Sequence, residues 1–478
     1  MVLLAGVGPS LSGCATNPAT GSPELVFMSE EEELKIGREL HQQVLKQIPL
    51  YEDPALQAYV QEIGDRVSKS SHRSDLFYRF HVLDRPEVNA FALPGGYIYI
   101  FRGLLAYLNS EAELAAVLGH EVAHVTARHA VRQHRNAMLA QILATAVAIQ
   151  AGGQAGDLSN ILGNALIRGY GRELELEADR LGAEYLAGGG YDIEAMLQLI
   201  DVLKWQEEFE KERAKEEGRD PAVYHGVFSS HPRSDERLQG VVRAAQRLQE
   251  SATPAVSREA YLARIEGLVF GTSARDGVQR GRNFYHQEFD IAFTAPESWR
   301  LQNDPQRVLL YAPKGVAKLQ LSAQDLNKRV DGAKFARERL KLKGLTDERN
   351  FELNGMPVYM ARYPESVLAS SRHIHLAIIY AGERAFIFQA ANKASDQDYA
   401  LAAPFEAVVK SFHRLKSEEQ ALTEPLRFRS LPVKAGDSYE SLAQRAPLGQ
   451  DAVSLLRLFN HHYPNGEPAA GQIIKVVK

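Results

Sequence analysis

The motif His-Glu-x-x-His at residues 120–124 places two imidazoles and one carboxylate within five positions of the chain. Ser110 and Glu113 have the spacing of a capping box, which predicts that a helix begins here. Residues four apart on a helix differ by about 40° around its axis, so His120 and His124 project from one face. This spacing suits two ligands of one tetrahedral zinc ion, and Glu121 is placed to take a proton from water at the metal.

A catalytic zinc site needs a third protein ligand and one open position. Residues 172–179 supply three candidate glutamates, Glu173, Glu175 and Glu177. On a helix, Glu175 shares a face with Asp179, whereas the other two glutamates are each turned by about 160° from Glu175. We therefore predict that Glu175 is the third ligand and that Asp179 lies behind the metal, bonded to a ligand imidazole. Glu173 and Glu177 are predicted to be solvated.

Two more histidines follow the motif. If the helix continues to about His134, the side chain of His129 points about 140° away from that of His124 and cannot reach the same ion. We predict that His129 and His134 are surface residues.

The composition excludes several classes of protein. With 478 residues, 45% hydrophobic and 24% charged, the chain is typical of a globular protein with two to four domains. The formal net charge of -5 does not suit a nucleic-acid partner. Because Cys14 is the only cysteine, neither an intrachain disulfide nor a zinc site built on cysteines is available.

Cys14 follows a stretch that resembles a bacterial lipoprotein signal. Residues 2–11 are mostly apolar, and small residues precede the cysteine, although no Lys or Arg occurs before Lys35. We predict a signal peptide at 1–13, a lipid on Cys14 that anchors the protein to the outer membrane, and a flexible tether at 14–30. The alternative is an apolar tail with an incidental cysteine.

The segment before the motif helix predicts a strand at the cleft. A turn at Pro94-Gly95-Gly96 leads into the β-forming residues Tyr97, Ile98, Tyr99 and Ile100. We predict that this strand edges the cleft and that its unpaired backbone groups bind an extended peptide, with Asn89 touching the substrate backbone. The alternative is an ordinary strand inside a sheet.

The motifs closely resemble the gluzincin metallopeptidases of the family that includes the CAAX prenyl proteases, HtpX and BepA, and most of all its soluble periplasmic branch. The resemblance covers Asn17 to about Leu248 and includes 89–96 and 103–105. It implies a mainly α, zincin-type domain at 31–265 with a small β-sheet edging the cleft. It also implies one Zn²⁺ per chain, with the roles given above for Glu121 and Glu175.

The resemblance further implies roles for His231 and Arg237. The histidine approaches the active site, either to stabilise the tetrahedral oxyanion or to occupy the fourth zinc position as a self-inhibiting plug. The arginine pairs with carboxylates of the site. From the residues alone, His231-Pro232 is equally compatible with the entry turn of a helix.

Two further regions follow the peptidase domain. Alternating strands predict an α+β domain at 283–415, and residues 289–299 weakly resemble the start of a PsbP/Mog1-type domain. Residues 428–478 resemble a LysM module, a β-α-α-β fold that often binds N-acetylglucosamine polymers such as those of peptidoglycan. The alternative is a module that only packs on the peptidase.

The function that the resemblance implies is hydrolysis of peptide bonds in unfolded or misassembled cell-envelope proteins, as part of quality control in the periplasm of a Gram-negative bacterium. Two alternatives remain. One is a chaperone or assembly factor whose site is plugged and seldom cleaves. The other is a scaffold that binds the cell wall through 428–478.

Overall fold

The structure is a computed structural model, and it describes residues 14–16, 18–19, 21, 23–25, 28–133, 170–217, 258–304, 307–328, 330–365, 372–393 and 399–478. The chain divides into two compact units. The first comprises Met1–Lys204 with Val223–Ile265, and the second comprises Trp205–Ala222 with Glu266–Lys478. Within the described ranges, no helix has both the length and the apolar character needed to cross a membrane.

Helices make up most of the first unit. In the described ranges they are α1 (Glu30–Gln47), α2 (Pro54–Ser68), α3 (Arg102–Leu105), α4 (Glu111–Thr126), α5 (Arg172–Gly188), α6 (Glu194–Glu217) and α7 (Arg258–Arg264). The part of α6 after Lys204 is assigned to the second unit. The predicted start of α4 is confirmed, because the hydroxyl of Ser110 accepts a hydrogen bond from the backbone N–H of Glu113 at 3.1 Å. Every residue of α4 is buried. Its motif is therefore held inside the protein on all sides.

The predicted end of α4 near residue 134 is wrong. The helix ends at Thr126, and Arg128 then takes the left-handed conformation, with φ 53°. The guanidinium of Arg128 donates to Oε2 of Glu33 at 2.8 Å and to the carbonyl oxygen of Met28 at 3.0 Å. These bonds stabilise a backbone conformation that residues other than glycine rarely adopt. Residues 129–133 are helical again.

A three-stranded sheet lies beside these helices. It consists of β3 (Arg79–Leu83), β4 (Ala90–Leu93) and β5 (Tyr97–Phe101), in the order β3-β5-β4. The central strand β5 pairs in parallel with β3 and antiparallel with β4. The prediction that Tyr97 to Ile100 has unpaired backbone groups is therefore wrong, since β3 occupies the edge that was expected to be free. In this sheet, β4 is the terminal strand on the other side.

Helix α1 covers one face of this sheet. Its side chains Leu40 and Val44, with Ile48 directly after the helix, pack on a cluster that includes Tyr97, Tyr99 and Phe101. Gly37 permits the close contact, because a Cβ at this position would lie 2.0 Å from the carbonyl oxygen of Pro94. Helix α1 thus fixes the turn between β4 and β5.

The second unit is mainly β. Within the predicted α+β domain, seven antiparallel strands form one sheet in the order β10-β11-β12-β16-β15-β14-β13. The strands of this unit are β6 (Val269–Phe270), β7 (Val278–Arg280), β8 (Asn283–His286), β9 (Ile291–Thr294), β10 (Arg300–Asp304), β11 (Arg307–Tyr311), β12 (Ala317–Asp325), β13 (Thr346–Leu353), β14 (Met356–Pro364), β15 (His373–Ala381), β16 (Arg384–Asn392), β17 (Leu426–Pro432) and β18 (Ile473–Val477). Successive residues of β14 alternate between two cores, Val358 and Met360 in one and Tyr359 and Ala361 in the other.

Helices cover both faces of the large sheet. Helix α9 (Ala402–Ser411) contributes Phe405 to the core that contains Val358. A short helical segment that begins with α8 (Gly332–Lys334) contributes Phe335 to the opposite core. The strands β7, β8 and β9 form a separate small sheet.

The last fifty or so residues contain β17, α10 (Tyr439–Ala443), α11 (Ala452–Phe459) and β18, in that order. The two strands pair antiparallel, and β17 also pairs with β6. Asn460 joins the end of α11 to β18, donating to the carbonyl oxygen of Lys475 at 2.9 Å and accepting from its N–H at 2.8 Å. The likeness to a LysM module stays a prediction. Near the start of the chain, inside the predicted tether, β1 (Cys14–Thr16) pairs with β2 (Pro23–Leu25).

Candidate metal centre

Helices α4 and α5 bring three predicted ligands together. The Nε2 atoms of His120 and His124 lie 2.9 Å apart, and Oε2 of Glu175 lies 3.3 Å and 3.5 Å from them, respectively. All three side chains are buried. Within the described part of the chain, this is the one group of three or more His, Cys, Asp or Glu residues that could hold a metal ion.

The donor set fits zinc. Bonds of about 2.0–2.2 Å to a tetrahedral ion place the ligand atoms roughly 3.3 Å from one another. Both distances to Glu175 match this value, and the distance between the imidazoles of His120 and His124 is a few tenths of an ångström shorter. Among the described residues, two imidazoles and one carboxylate supply three ligands, the number that catalytic zinc sites take from the protein.

A glycine contact sets the spacing of the two helices. A Cβ at Gly119 of α4 would lie 3.1 Å from the carbonyl oxygen of Gly182 on α5. In the other direction, a Cβ at Gly182 would lie 3.0 Å from both N and Cα of His120. Only residues without side chains allow two helix backbones to approach so closely. This approach lets the short side chain of Asp179 reach the back of His120.

Asp179 lies where the sequence reasoning placed it. Its Oδ1 is 3.0 Å from Nδ1 of His120, and both side chains are buried. An acceptor at Nδ1 favours the tautomer of His120 that leaves the lone pair of Nε2 for a metal. Burial lowers the pKa of His120, but the hydrogen bonds with Asp179 and Glu175 outweigh burial and raise it to about 10.

His129 is a residue that the sequence reasoning misplaced. It is fully buried, not on the surface, and its Nδ1 lies 2.7 Å from Nδ1 of His124. Glu177 was predicted to be solvated, but it is half-buried and accepts a hydrogen bond from Nη1 of Arg132 at 2.7 Å. Glu173 is exposed, as predicted. The signal that was missed is the break at Arg128, which turns the chain back toward His124.

Glu121 is enclosed beside the cluster. The residue is buried, and among the described residues its Oε1 has no hydrogen-bond partner. Burial raises the pKa of Glu121 to about 8, against the opposing effect of His120. Burial also lowers the pKa of His124 to about 3, against the opposing effect of Glu175. A buried carboxylate with an unused oxygen is suited to exchange protons with a bound water.

A recess opens beside His124. It is lined by Ala92 and Leu93 of β4, the following Pro94, and Tyr170. The ring of Tyr170 stacks on that of His124, with centroids 4.2 Å apart. The terminal strand β4, rather than β5, therefore borders the site.

The remaining predicted residues are placed as follows. Asn89 immediately precedes β4, and its carbonyl oxygen accepts a hydrogen bond from the N–H of Phe101 at 2.9 Å. Tyr97, Ile98 and Tyr99 are buried in the central strand. His134, His231 and Arg237 lie outside the described residues, and Cys14 begins β1.

Comparison with known proteins identifies a family. Residues 54–245 match Peptidase family M48. The beta-barrel assembly-enhancing protease of Yersinia pestis is 30% identical over 257 residues, which are 51% of this chain and 50% of that protein. The protein of the same name from Escherichia coli O157:H7 is 27% identical over 281 residues, 56% of this chain and 55% of that protein. This chain spans about half the length of these relatives.

The chain is also similar to a eukaryotic protein and, weakly, to a solved structure. The mitochondrial metalloendopeptidase OMA1 of Schizosaccharomyces pombe is 30% identical over 217 residues, 44% of this chain and 60% of that protein. Among solved structures, cyanobacterial PsbP from Synechocystis covers 29% of this chain and 95% of its own, with a TM-score of 0.23 and 13% identity. That score does not establish a shared fold, so the PsbP/Mog1-like character of 283–415 stays a prediction.

The matched residues 54–245 contain the whole cluster of His120, His124 and Glu175, together with Glu121 and Asp179. Family M48 consists of zinc-dependent peptidases, and the cluster supplies ligands that zinc takes. The predicted family and the predicted zinc cofactor are thus confirmed. The match to Peptidase family M48 thus covers residues 54–245, and with them every residue of the proposed zinc site that the structure describes.

Proposed function

We propose that this protein is a zinc-dependent endopeptidase that cleaves unfolded or misassembled proteins of the cell envelope. The observation that carries the proposal is the buried meeting of His120, His124 and Glu175, with the carboxylate of Glu121 beside them. The match of residues 54–245 to Peptidase family M48 supports the peptidase activity. The bacterial relatives named as beta-barrel assembly-enhancing proteases support a substrate in the envelope.

Different residues of the site would bind the metal, orient a ligand and transfer the proton. His120, His124 and Glu175 would hold the ion, and Asp179 orients His120 through the contact at Nδ1. When bound, zinc would polarise the scissile carbonyl and lower the pKa of a nearby water. Glu121 takes a proton from the attacking water and passes it to the leaving amine. The burial of Glu121 excludes bulk water from this exchange.

The terminal strand β4 is our candidate for the substrate-binding edge, in place of β5. It pairs only with β5 in its sheet, and Ala92 and Leu93 line the recess beside His124. An extended peptide that adds to this edge would be held by backbone hydrogen bonds, which make little demand on side-chain identity. Such binding suits a protease of unfolded chains. Asn89, directly before β4, remains our candidate for a contact with the substrate backbone.

The test compares wild type with Glu121→Gln. Glutamine keeps the size of the side chain and removes its ability to accept a proton. We expect normal zinc content by metal analysis, and a loss of casein cleavage of about 10²–10⁴-fold. Cleavage by the variant at the parent rate would contradict the mechanism. Absence of zinc from the wild-type protein would contradict the proposed function itself.

His231 and Arg237 enter the proposal from sequence alone. His231→Ala separates the two roles proposed for this histidine. If His231 stabilises the oxyanion, the variant loses cleavage and retains zinc. If His231 is a plug, cleavage appears or rises in the variant, and a regulated assembly factor becomes the better description.

We also propose, from sequence alone, a lipid anchor at Cys14 on the periplasmic side of the outer membrane and peptidoglycan binding by residues 428–478. Labelling with a fatty acid should be lost in Cys14→Ser, and a variant that still labels contradicts the anchor. Pull-down with peptidoglycan should depend on residues 428–478, and retention by a chain without them contradicts the glycan site.

A further inference from the structure

The ring nitrogen of His124 that faces away from the cluster is in contact with His129. The two Nδ1 atoms are 2.7 Å apart, and both residues are buried. The rings meet nearly edge to face, with centroids 4.9 Å apart and an angle of 71° between their planes. This contact is a short hydrogen bond inside the protein, so one nitrogen donates and the other accepts.

The direction of this hydrogen bond decides whether His124 can bind a metal. A neutral imidazole carries one proton. If Nδ1 of His124 carries it, the lone pair of Nε2 is available to the ion. If Nδ1 of His129 donates instead, the proton of His124 must sit on Nε2, where it blocks the metal. The ligand function of His124 therefore requires that His129 accepts.

The surroundings of His129 favour that direction. Oε2 of Glu177 lies 3.4 Å from Nε2 of His129, and the same oxygen accepts a hydrogen bond from Nη1 of Arg132 at 2.7 Å. A carboxylate paired with an arginine is ionised and accepts only. Its negative charge favours a proton on Nε2 of His129, which leaves Nδ1 of His129 with a lone pair for His124.

We propose that His129 is a positioning residue of the zinc site, which accepts a hydrogen bond from His124 and thereby presents Nε2 of His124 to the ion. The negative charge of Glu177, which Arg132 holds in place, favours this tautomer of His129. Each ligand imidazole then has its own support: Asp179 contacts His120 directly, and Glu177 acts on His124 through His129. This inference rests on the proposed function.

The central test is a matched pair of substitutions in the full-length protein. In His129→Asn the amide oxygen takes the place of Nδ1 and can accept from His124. In His129→Gln the amide lies one carbon farther out, in the place of Nε2, and cannot accept a hydrogen bond from Nδ1 of His124. His129→Leu removes both nitrogens. Glu173→Gln, an exposed change on the same helix as Glu177, serves as the control.

Three readouts separate positioning from general damage. Zinc affinity is measured by competition with a chelator, the geometry of the site by the visible spectrum of the cobalt-substituted protein, and folding by thermal unfolding of the metal-free protein. We expect zinc affinity to fall about 10–100-fold in His129→Leu and His129→Gln, with an altered cobalt spectrum. His129→Asn and Glu173→Gln should stay near wild type in both.

The outcomes are distinguishable. Equal zinc affinities for His129→Asn and His129→Gln overturn the inference, and this comparison decides the question even if His129→Leu does not fold. If wild type binds zinc and cleaves casein while the His129 variants match it, only the inference fails. If wild type binds no zinc, the proposed function and the inference fail together.

Discussion

Gly182 of α5 lies directly against His120 of α4, so close that a Cβ at Gly182 would be 3.0 Å from both N and Cα of the histidine. The contact joins the helix that carries two proposed ligands to the helix that carries the third. The separation of α4 and α5 is thus set by backbone atoms, and the site has little tolerance for added volume between them.

The first prediction concerns this contact. In Gly182→Val, the added side chain must push α5 away from His120, so Glu175 and Asp179 move away from their partners. We expect zinc affinity to fall at least about tenfold, as measured by chelator competition, because outer contacts of metal ligands typically contribute this much. Gly171→Ser is the control, since no atom lies within 4 Å of a Cβ at this position, at the N-terminus of the same helix. Equal losses of zinc affinity in Gly182→Val and Gly171→Ser would contradict the proposal that the contact at Gly182 sets the geometry of the site.

The second prediction concerns Asp179. Asp179→Ala removes the acceptor that lies 3.0 Å from Nδ1 of His120. We expect about 10–100-fold weaker zinc binding in a chelator titration, with casein cleavage restored by excess zinc. Glu184→Ala removes an exposed ion pair with Arg180 on the same helix and should change neither property. Wild-type zinc affinity in Asp179→Ala would show that His120 needs no such support.

The third prediction uses two glutamates of α1 that share one partner. Glu33 is buried between Arg73 at 2.9 Å and Arg128 at 2.8 Å, whereas the side chain of Glu30, also paired with Arg73, is 66% exposed. Glu33→Gln leaves the enclosed guanidinium of Arg128 without its counter-charge and leaves Arg73 with the exposed Glu30 alone, so it should lower the free energy of unfolding by about 3–5 kcal/mol. Glu30→Gln should cost less than about 1 kcal/mol.

The measurement for this pair is denaturant unfolding followed by the helical circular-dichroism signal, since the first unit is the helical one. If Glu30→Gln and Glu33→Gln lower the free energy of unfolding by similar amounts, burial does not determine the strength of these ion pairs.

The fourth prediction concerns pH and the second unit. His286 is buried, its ring stacks on Phe289 with centroids 3.8 Å apart, and its Nδ1 accepts a hydrogen bond from the N–H of Phe289. Burial, with a smaller effect from Arg384, lowers the pKa of His286 to about 4. The unfolded chain, with a histidine pKa of about 6.5, therefore binds more protons between about pH 6.5 and pH 4.

It follows that the contribution of His286 to stability is complete above pH 6.5 and is lost as the pH falls toward 4, by roughly 3 kcal/mol in all. Unfolding of this unit can be followed by tryptophan fluorescence, because both tryptophans, Trp205 and Trp299, belong to it. In His286→Asn, the decline of stability across this pH range should be shallower. If stability declines equally steeply with falling pH in His286→Asn and in wild type, His286 is not the group responsible for the decline.

The sequence predicted those parts of the site that depend on local geometry. The positions of His120 and His124 follow from the helical period, and the choice of Glu175 and Asp179 follows from their shared face. The strand pairing beside the site and the burial of His129 depend on tertiary contacts, which the local sequence does not reveal. The parallel pairing of β3 with β5 brings together strands that a loop and another strand separate, so no turn signal announces it.

His129 shows the same limit most clearly. Its burial depends on the left-handed conformation of Arg128, which the partners Glu33 and Met28 stabilise from about a hundred residues earlier in the chain. A helical projection from residue 120 to residue 134 assumes that the helix is continuous. One residue with positive φ is sufficient to invalidate it.

Asp179 supports His120 from a position 59 residues farther along the chain. Before α5 docks on α4, the nascent chain has two imidazoles of the site and no carboxylate to complete it. Tight capture of the ion thus requires docking to precede it, and the captured ion in turn favours the docked arrangement. The supply of metal would then affect the stability of this helix pair as well as the occupancy of the site.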